Sequence, residues 1–231
     1  MSCCGPAPGL FDSVGLFDDD LDMTISLPRI YPITDTTVSG LSHTEQVKRL
    51  IDGGATLIQL RDKHAAPKDF FRDAEAALNV ARQNNVRIII NDRVDIAMAI
   101  GADGVHLGQC DMPVHAARTL LGMHAVIGFS THNLSQVKVA STLVADYVAF
   151  GPIFDTHTKR DHDPVVGLSH LREVKALSGE MPLVAIGGIT AANFASVLDG
   201  GADSIAVISD LLKEPNKIAE NLRRLLSDLP D

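Results

Sequence analysis

The residues best suited to chemistry in this chain are charged groups set directly against apolar runs. In IIINDR (88–93) three isoleucines suit a strand buried on both faces, yet Asn91 and Asp92 follow at once. Burying an unpaired carboxylate is costly, so Asp92 needs a cationic partner, a helix to cap or a metal. Asp111, in GVHLGQCDMP, repeats the arrangement nineteen residues on. Two carboxylates on neighbouring strand ends, beside phosphate-binding cations, suit a hard ion such as Mg²⁺, held by one or two carboxylates plus substrate oxygens. The alternative is capping. Asp92 would precede a helix with Asp95 in its first turn, and Asp111 would precede PVHAARTLLG with Pro113 opening it.

The cations are placed in the same way. Arg61 and Lys63 share QLRDK (59–63), and Lys159 lies in FDTHTKRDHDP. With the hydroxyls of Ser130, Thr156 and Thr158 they make an anion site if the fold brings them together, Arg as a planar fork and Lys as a point charge. Otherwise Arg61 and Lys63 are solvated loop charges. Gly187 and Gly188 in VAIGGI, with Ser209 after SIAVI, suit a second anion site in which the backbone approaches the ligand closely. Two phosphorylated substrates would use both.

Bringing these residues together requires a scaffold that gathers strand ends. Eight short apolar runs alternate with helix-length amphipathic stretches: RIYPI (29–33), TLIQL (56–60), RIIIN (87–91), GVHL (104–107), AVIGF (125–129), YVAF (147–150), LVAI (183–186) and SIAVI (204–208). The pattern predicts an α/β chain folded as a single (β/α)8 TIM barrel, with an open doubly wound sheet as the alternative. Ala55, Ala102, Ala145 and Ala202 each stand in the turn before an even-numbered run, an internal echo of paired strand-helix units. In such a barrel the site lies at the C-terminal ends of the strands. Those positions are where the polar residues gather, whereas the runs themselves are apolar.

Composition narrows the partners. The net charge of −9 and the absence of Trp argue against a nucleic-acid surface. Residues 1–28 hold five Asp and no Lys or Arg, and their Gly/Pro/Asp-rich sequence predicts a disordered acidic extension ahead of a barrel domain at 29–231. This leader lacks the basic start and long apolar centre of a signal peptide, and no run is long enough to span a membrane. Three cysteines (Cys3, Cys4, Cys110) suit a reducing cytoplasm. A homo-oligomer is compatible with the sequence.

Six segments together resemble the thiamine-phosphate synthase family: QLRDK (59–63), INDRVDIA (90–97), GADGVHLGQCDMP (101–113), GFSTHN (128–133), ADYVAFGPIFDTHTK (145–159) and AIGGI (185–189). The match runs in order through nearly all of 29–210 and excludes the leader. It implies condensation of an aminopyrimidine methyl diphosphate with a thiazole ethyl phosphate, or its carboxylated form, to thiamine phosphate and diphosphate. The resemblance implies that Gln59, Arg61, Lys63, Asn91 and Lys159 hold the pyrimidine diphosphate and that Ser130 lies near the pyrimidine. It further implies that Asp92 and Asp111 bind Mg²⁺, and that Thr156, Thr158, Gly188, Ile208 and Ser209 contact the thiazole phosphate. Arg61, Lys63, Lys159 and Ser130 would be the catalytic set, with no protein nucleophile. Leu60, Asp62 and His157 are counted with the substrate contacts. Asp62, however, stands where the family more often has Glu, and the chemistry does not require His157. His106, inside the fourth run, is expected to be a buried, hydrogen-bonded residue rather than a base. The rival readings are a thiazole tautomerase-type relative and a non-catalytic phosphate-ligand binder on the same barrel.

Overall fold

The computed structural model describes residues 26–156 and 164–230. The expectation for the leader up to residue 25, and those for His157, Thr158 and Lys159, therefore fall outside the described residues.

All eight runs form strands: β1 (Ile30–Thr34), β2 (Leu57–Leu60), β3 (Arg87–Asn91), β4 (Gly104–Leu107), β5 (Val126–Thr131), β6 (Tyr147–Phe150), β7 (Leu183–Ile186) and β8 (Ser204–Val207). They pair in parallel and in chain order, and β1 also pairs with β8, which closes the barrel. Closure is the outcome expected of the regular alternation, and it rules out the open sheet. The bounds agree to within one residue except at β5, where Ser130 and Thr131 are the last residues of the strand rather than the loop after it.

The helices follow as α1 (Thr36–Ser39), α2 (His43–Asp52), α3 (Pro67–Gln83), α4 (Val94–Ile100), α5 (Val114–Leu121), α6 (Leu134–Ala140), α7 (Leu171–Ser178), α8 (Phe194–Asp199), α9 (Ser209–Leu212) and α10 (Ile218–Ser227). Helix α3 shows why they dock. Phe70, Ala74, Ala77, Leu78 and Ala81 are buried, three or four residues apart except for one adjacent pair, so they form one apolar stripe. Helix α2 starts where the Ser42 side chain accepts a hydrogen bond from the Glu45 N–H. Among the described residues no helix is long and apolar enough to cross a membrane.

Strand alternation divides the core in two. Ile58, Leu60, Ile88, Ile90, Val105 and Ile127 face the helices. Tyr31, Ile33, Leu57, Ile89, Val126, Tyr147, Ala149, Val184 and Ala206 fill the barrel interior. The IIINDR isoleucines are thus split, Ile88 and Ile90 outward and Ile89 inward, and all three are fully buried. Leu27, placed by sequence in the leader, packs against the inner cluster, and the Ser26 carbonyl accepts a hydrogen bond from Arg87. Leu27 and Ser26 thus contact the barrel although they lie ahead of residue 29.

Candidate active site

A cavity of about 550 Å³ opens at the C-terminal ends of the strands. Gln59, Arg61, Lys63, Asn91, Asp92, Asp111, Ser130, Thr156, Gly188, Ile208 and Ser209 all line it. These residues come from seven different strand ends, β2 to β8, and reach one space only because the barrel closes.

The two acids are not caps. The residue preceding α4 is Arg93 and that preceding α5 is Pro113, and neither helix has a side-chain cap. Asp92 instead adopts a left-handed backbone, with φ of 61°. That region is uncommon for a residue with a side chain and costs on the order of 1 kcal/mol or more. It is held by the Asp92 N–H donating to the His106 carbonyl at 2.8 Å and by the Val94 N–H donating to the Asp92 carbonyl at 3.1 Å. The Asp92 carboxylate meets the Lys63 ammonium. The Asp111 carboxylate accepts from the Gly108 N–H at 2.7 Å, which ties it to its own loop. Burial pushes the Asp92 carboxyl above its ordinary range; Lys63 opposes this and the neighbouring Asp111 charge adds to it. Asp95, expected in the first turn of α4, is there and pairs with Arg93 at 2.6 Å.

Arg61 is held rather than solvated, whereas Lys63 is exposed and pairs with Asp92. Arg61 donates to Asp35 at 2.6 Å, and both side chains are largely buried. Asp35 is itself fixed, capping α1 through the Thr37 N–H and donating its own N–H to Gln46. Asp35, just after β1, thus fixes the Arg61 side chain, a contact that sequence reasoning missed. Among the described charged groups lining the cavity, two cations face two carboxylates, so the wall carries little net positive charge by itself. Beside them, Asn91 lines the cavity, and its Nδ2 is buried from solvent without a hydrogen-bond partner.

The opposite wall is built differently. Gly187 and Gly188 both have positive φ, 103° and 63°. A Cβ on Gly188 would lie 2.4 Å from the Asp155 carbonyl oxygen, so only glycine fits. The Gly188 carbonyl accepts from Asn193 at 3.0 Å, which anchors the turn beside Ser209.

Two expected contacts do not reach the cavity. Leu60 is fully buried and belongs to the helix-facing core, because Gln59, one residue before it, takes the inward position. Asp62 turns back into its loop, accepting from Thr36 and from the N–H groups of His64 and Ala65. It lies 3.4 Å from the buried His43. Its hydrogen bonds hold its carboxyl below the ordinary range against the opposing effect of burial.

The cavity floor, by contrast, was largely missed. His106 is buried and hydrogen-bonded as expected, but its ring also lines the cavity, with Nε2 2.8 Å from Ser130 Oγ. Tyr31 and Tyr147 lie beneath it, their hydroxyls 3.1 Å apart. Both sit in apolar runs and read as core residues, and the one available sign was a hydroxyl in a barrel interior. Burial lowers the His106 pKa to about 4, so its ring is neutral near neutrality.

Comparison with known proteins follows this geometry. The profile of the family described as thiamine monophosphate synthase matches residues 30–211. A thiamine-phosphate synthase of Koribacter versatilis is 43% identical over 207 residues, covering 87% of this chain and 97% of the relative. One from Clostridium novyi is 47% identical over 186 residues, covering 80% and 91%. The solved thiamine phosphate pyrophosphorylase from Pyrococcus furiosus is 34% identical, with a TM-score of 0.77, covering 86% of this chain and 94% of that one.

Proposed function

Because this chain belongs to the thiamine monophosphate synthase family, we propose that it acts as a thiamine-phosphate synthase, a transferase joining a pyrimidine methyl diphosphate to a thiazole ethyl phosphate. The observation that carries this is the meeting of Arg61, Lys63, Asp92 and Asp111 with Gly188 and Ser209 around one cavity. Two anionic groups are thereby accommodated on facing walls.

The diphosphate sits on the Arg61, Lys63 and Asn91 side, joined by Lys159. Arg61, held by Asp35, offers its remaining N–H groups as a fork to the phosphates. Asn91 stands beside them, its Nδ2 a buried donor to which the protein gives no acceptor. Gln59 and Ser130 face the pyrimidine. Thr156, Thr158, Gly188, Ile208 and Ser209 hold the thiazole phosphate.

Asp92 and Asp111 fit Mg²⁺. Two neighbouring carboxylates, one with its pKa raised partly by the other, suit a divalent cation that completes its shell with phosphate and water oxygens. When bound, Mg²⁺ supplies charge stabilisation of the departing diphosphate. Without such neutralisation the same carboxylates would repel that group.

The C–O bond at the pyrimidine methylene breaks and its electron pair leaves with the diphosphate. The amino-substituted ring delocalises the resulting cation, and the thiazole nitrogen then supplies the pair for the new C–N bond. The protein needs no nucleophile; it provides orientation and fixed charges. Cys110, on the cavity wall, has no part in these steps. With three cysteines in the chain, a reducing cytoplasm remains the proposed compartment.

The experiment is direct. The protein is mixed with both substrates and Mg²⁺, and diphosphate and thiamine phosphate are followed together. Stoichiometric appearance of both is expected. Binding of both substrates with no diphosphate release would overturn the reading in favour of a phosphate-ligand binder.

A further inference from the structure

The polar groups on the cavity floor form a continuous chain. Gln59 Nε2 donates to the Tyr31 hydroxyl at 3.3 Å, and the Tyr31 and Tyr147 hydroxyls are 3.1 Å apart. Tyr147 Oη then lies 3.0 Å from His106 Nδ1, and His106 Nε2 lies 2.8 Å from Ser130 Oγ. Strand register builds the row. Asn91 pairs with His106, His106 with Gly128, and Gly128 with Tyr147. Gly128 is the space that makes it possible. A Cβ there would fall 2.1 Å from Tyr147 Cζ and 2.5 Å from His106 Nδ1. With that space open, the His106 and Tyr147 rings stack at 5.5 Å.

Each hydroxyl and a neutral imidazole donates one hydrogen, so with Gln59 Nε2 donating to Tyr31 the arrangement that gives every hydroxyl hydrogen an acceptor runs one way along the chain. Gln59 donates to Tyr31, so Tyr31 donates to Tyr147. Tyr147 then donates to His106 Nδ1, and the imidazole hydrogen is left on Nε2, facing Ser130. Ser130 Oγ accepts it and keeps its own hydrogen for the cavity.

We infer that Gln59, Tyr31, Tyr147 and His106 act as positioning residues that hold the Ser130 hydroxyl as a hydrogen-bond donor toward an acceptor atom of the pyrimidine substrate. The identity of that substrate rests on the function proposed above, whereas the direction of the chain does not. It follows that Gln59, hydrogen-bonded to Tyr31 and also to Tyr147, sets the tautomer of His106 through the tyrosine hydroxyls.

The test is ¹⁵N-edited NMR of the ligand-free, full-length protein, with the His106 signals assigned by difference from His106→Gln. The wild type is expected to show the Nε2–H tautomer. Gln59→Glu, followed upward in pH until the buried carboxyl ionises, offers Tyr31 only an acceptor. The chain should then reverse, and His106 should become the Nδ1–H tautomer. Wild type in the Nδ1–H form, or no tautomer change in Gln59→Glu, would overturn the inference. Should Gln59→Glu fail to fold, Tyr147→Phe serves instead. It removes the partner of Nδ1, and an unmixed Nε2–H signal in that variant would equally overturn the chain. Tyr31→Phe adds a kinetic arm: KM for the pyrimidine diphosphate should rise roughly fivefold to tenfold, the loss expected of about one neutral hydrogen bond, while KM for the thiazole phosphate holds. An unchanged pyrimidine KM would count against the positioning role. Absence of turnover in the wild type would leave the tautomer result standing and sink only the substrate assignment.

Discussion

At the scale of single residues, Asp92 concentrates the chemistry. It occupies a left-handed backbone, contacts Lys63 and neighbours Asp111. Its raised pKa means that the protonated form, which cannot ligate a metal, persists to higher pH than for an ordinary Asp near 3.9. The acid limb of kcat/KM should therefore lie above the usual carboxylate range. It should move to lower pH as Mg²⁺ is raised, because metal and proton compete for one group. A limb indifferent to Mg²⁺ would remove Asp92 from the metal site. Asp92→Asn should lower kcat/KM by roughly hundredfold or more, the scale on which lost charge stabilisation is felt, with little change in melting temperature. A loss below about threefold would refute the assignment. The pairing of Asp92 with Asp111 was legible in sequence, since both acids followed apolar runs on adjacent strands. That neither caps its helix was not, because the cap is decided by where the chain turns, one residue later at Arg93 and two residues later at Pro113.

At the scale of elements, strand alternation decides which residue of a motif works. In β2, Gln59 faces the interior and Leu60 the helices, so neighbours in QLRDK have unrelated tasks. Leu60→Ala should cost about 2–5 kcal/mol of stability by opening a core cavity, while leaving substrate KM values near those of the wild type. Gln59→Ala should do the reverse. Chemical denaturation set beside steady-state kinetics separates the two, and a large KM change in Leu60→Ala would return that residue to the site. On the far wall, Gly188→Ala must push against the Asp155 carbonyl, so KM for the thiazole phosphate should rise several-fold more than that for the pyrimidine. Equal changes in both would argue that the two anion sites are not distinct. The eight strands themselves were readable as apolar runs with the bounds shifted by one or two residues. The inward polar row from β1 through β4 and β6 was not, because Tyr31, His106 and Tyr147 read as ordinary core when register is unknown.

At the scale of the whole molecule, closure is what turns scattered rim residues into a site. β1 pairs with β8, and this brings the Gly188 and Ser209 wall around to face Arg61 and Asp92. Under the proposed function, the diphosphate side would join a metal and an anion that each lack a full set of partners alone. Mg²⁺ and diphosphate together should raise the melting temperature by more than the sum of their separate effects. At about a hundredfold excess over Kd the joint shift should reach roughly 5–10 °C, and additive shifts in a calorimetric scan would argue against a shared site. The sequence by itself determined the class of fold, the family and most of the charged rim, because hydrophobic periodicity and short motifs are local properties of the chain. Only the tertiary structure decided that Arg61 is held by Asp35, that Asp62 serves its loop, and that a row of hydroxyls and one imidazole runs beneath Ser130. Those facts depend on register and closure, which bring together side chains as far apart as Tyr31 and Tyr147, and no local pattern encodes such a distance.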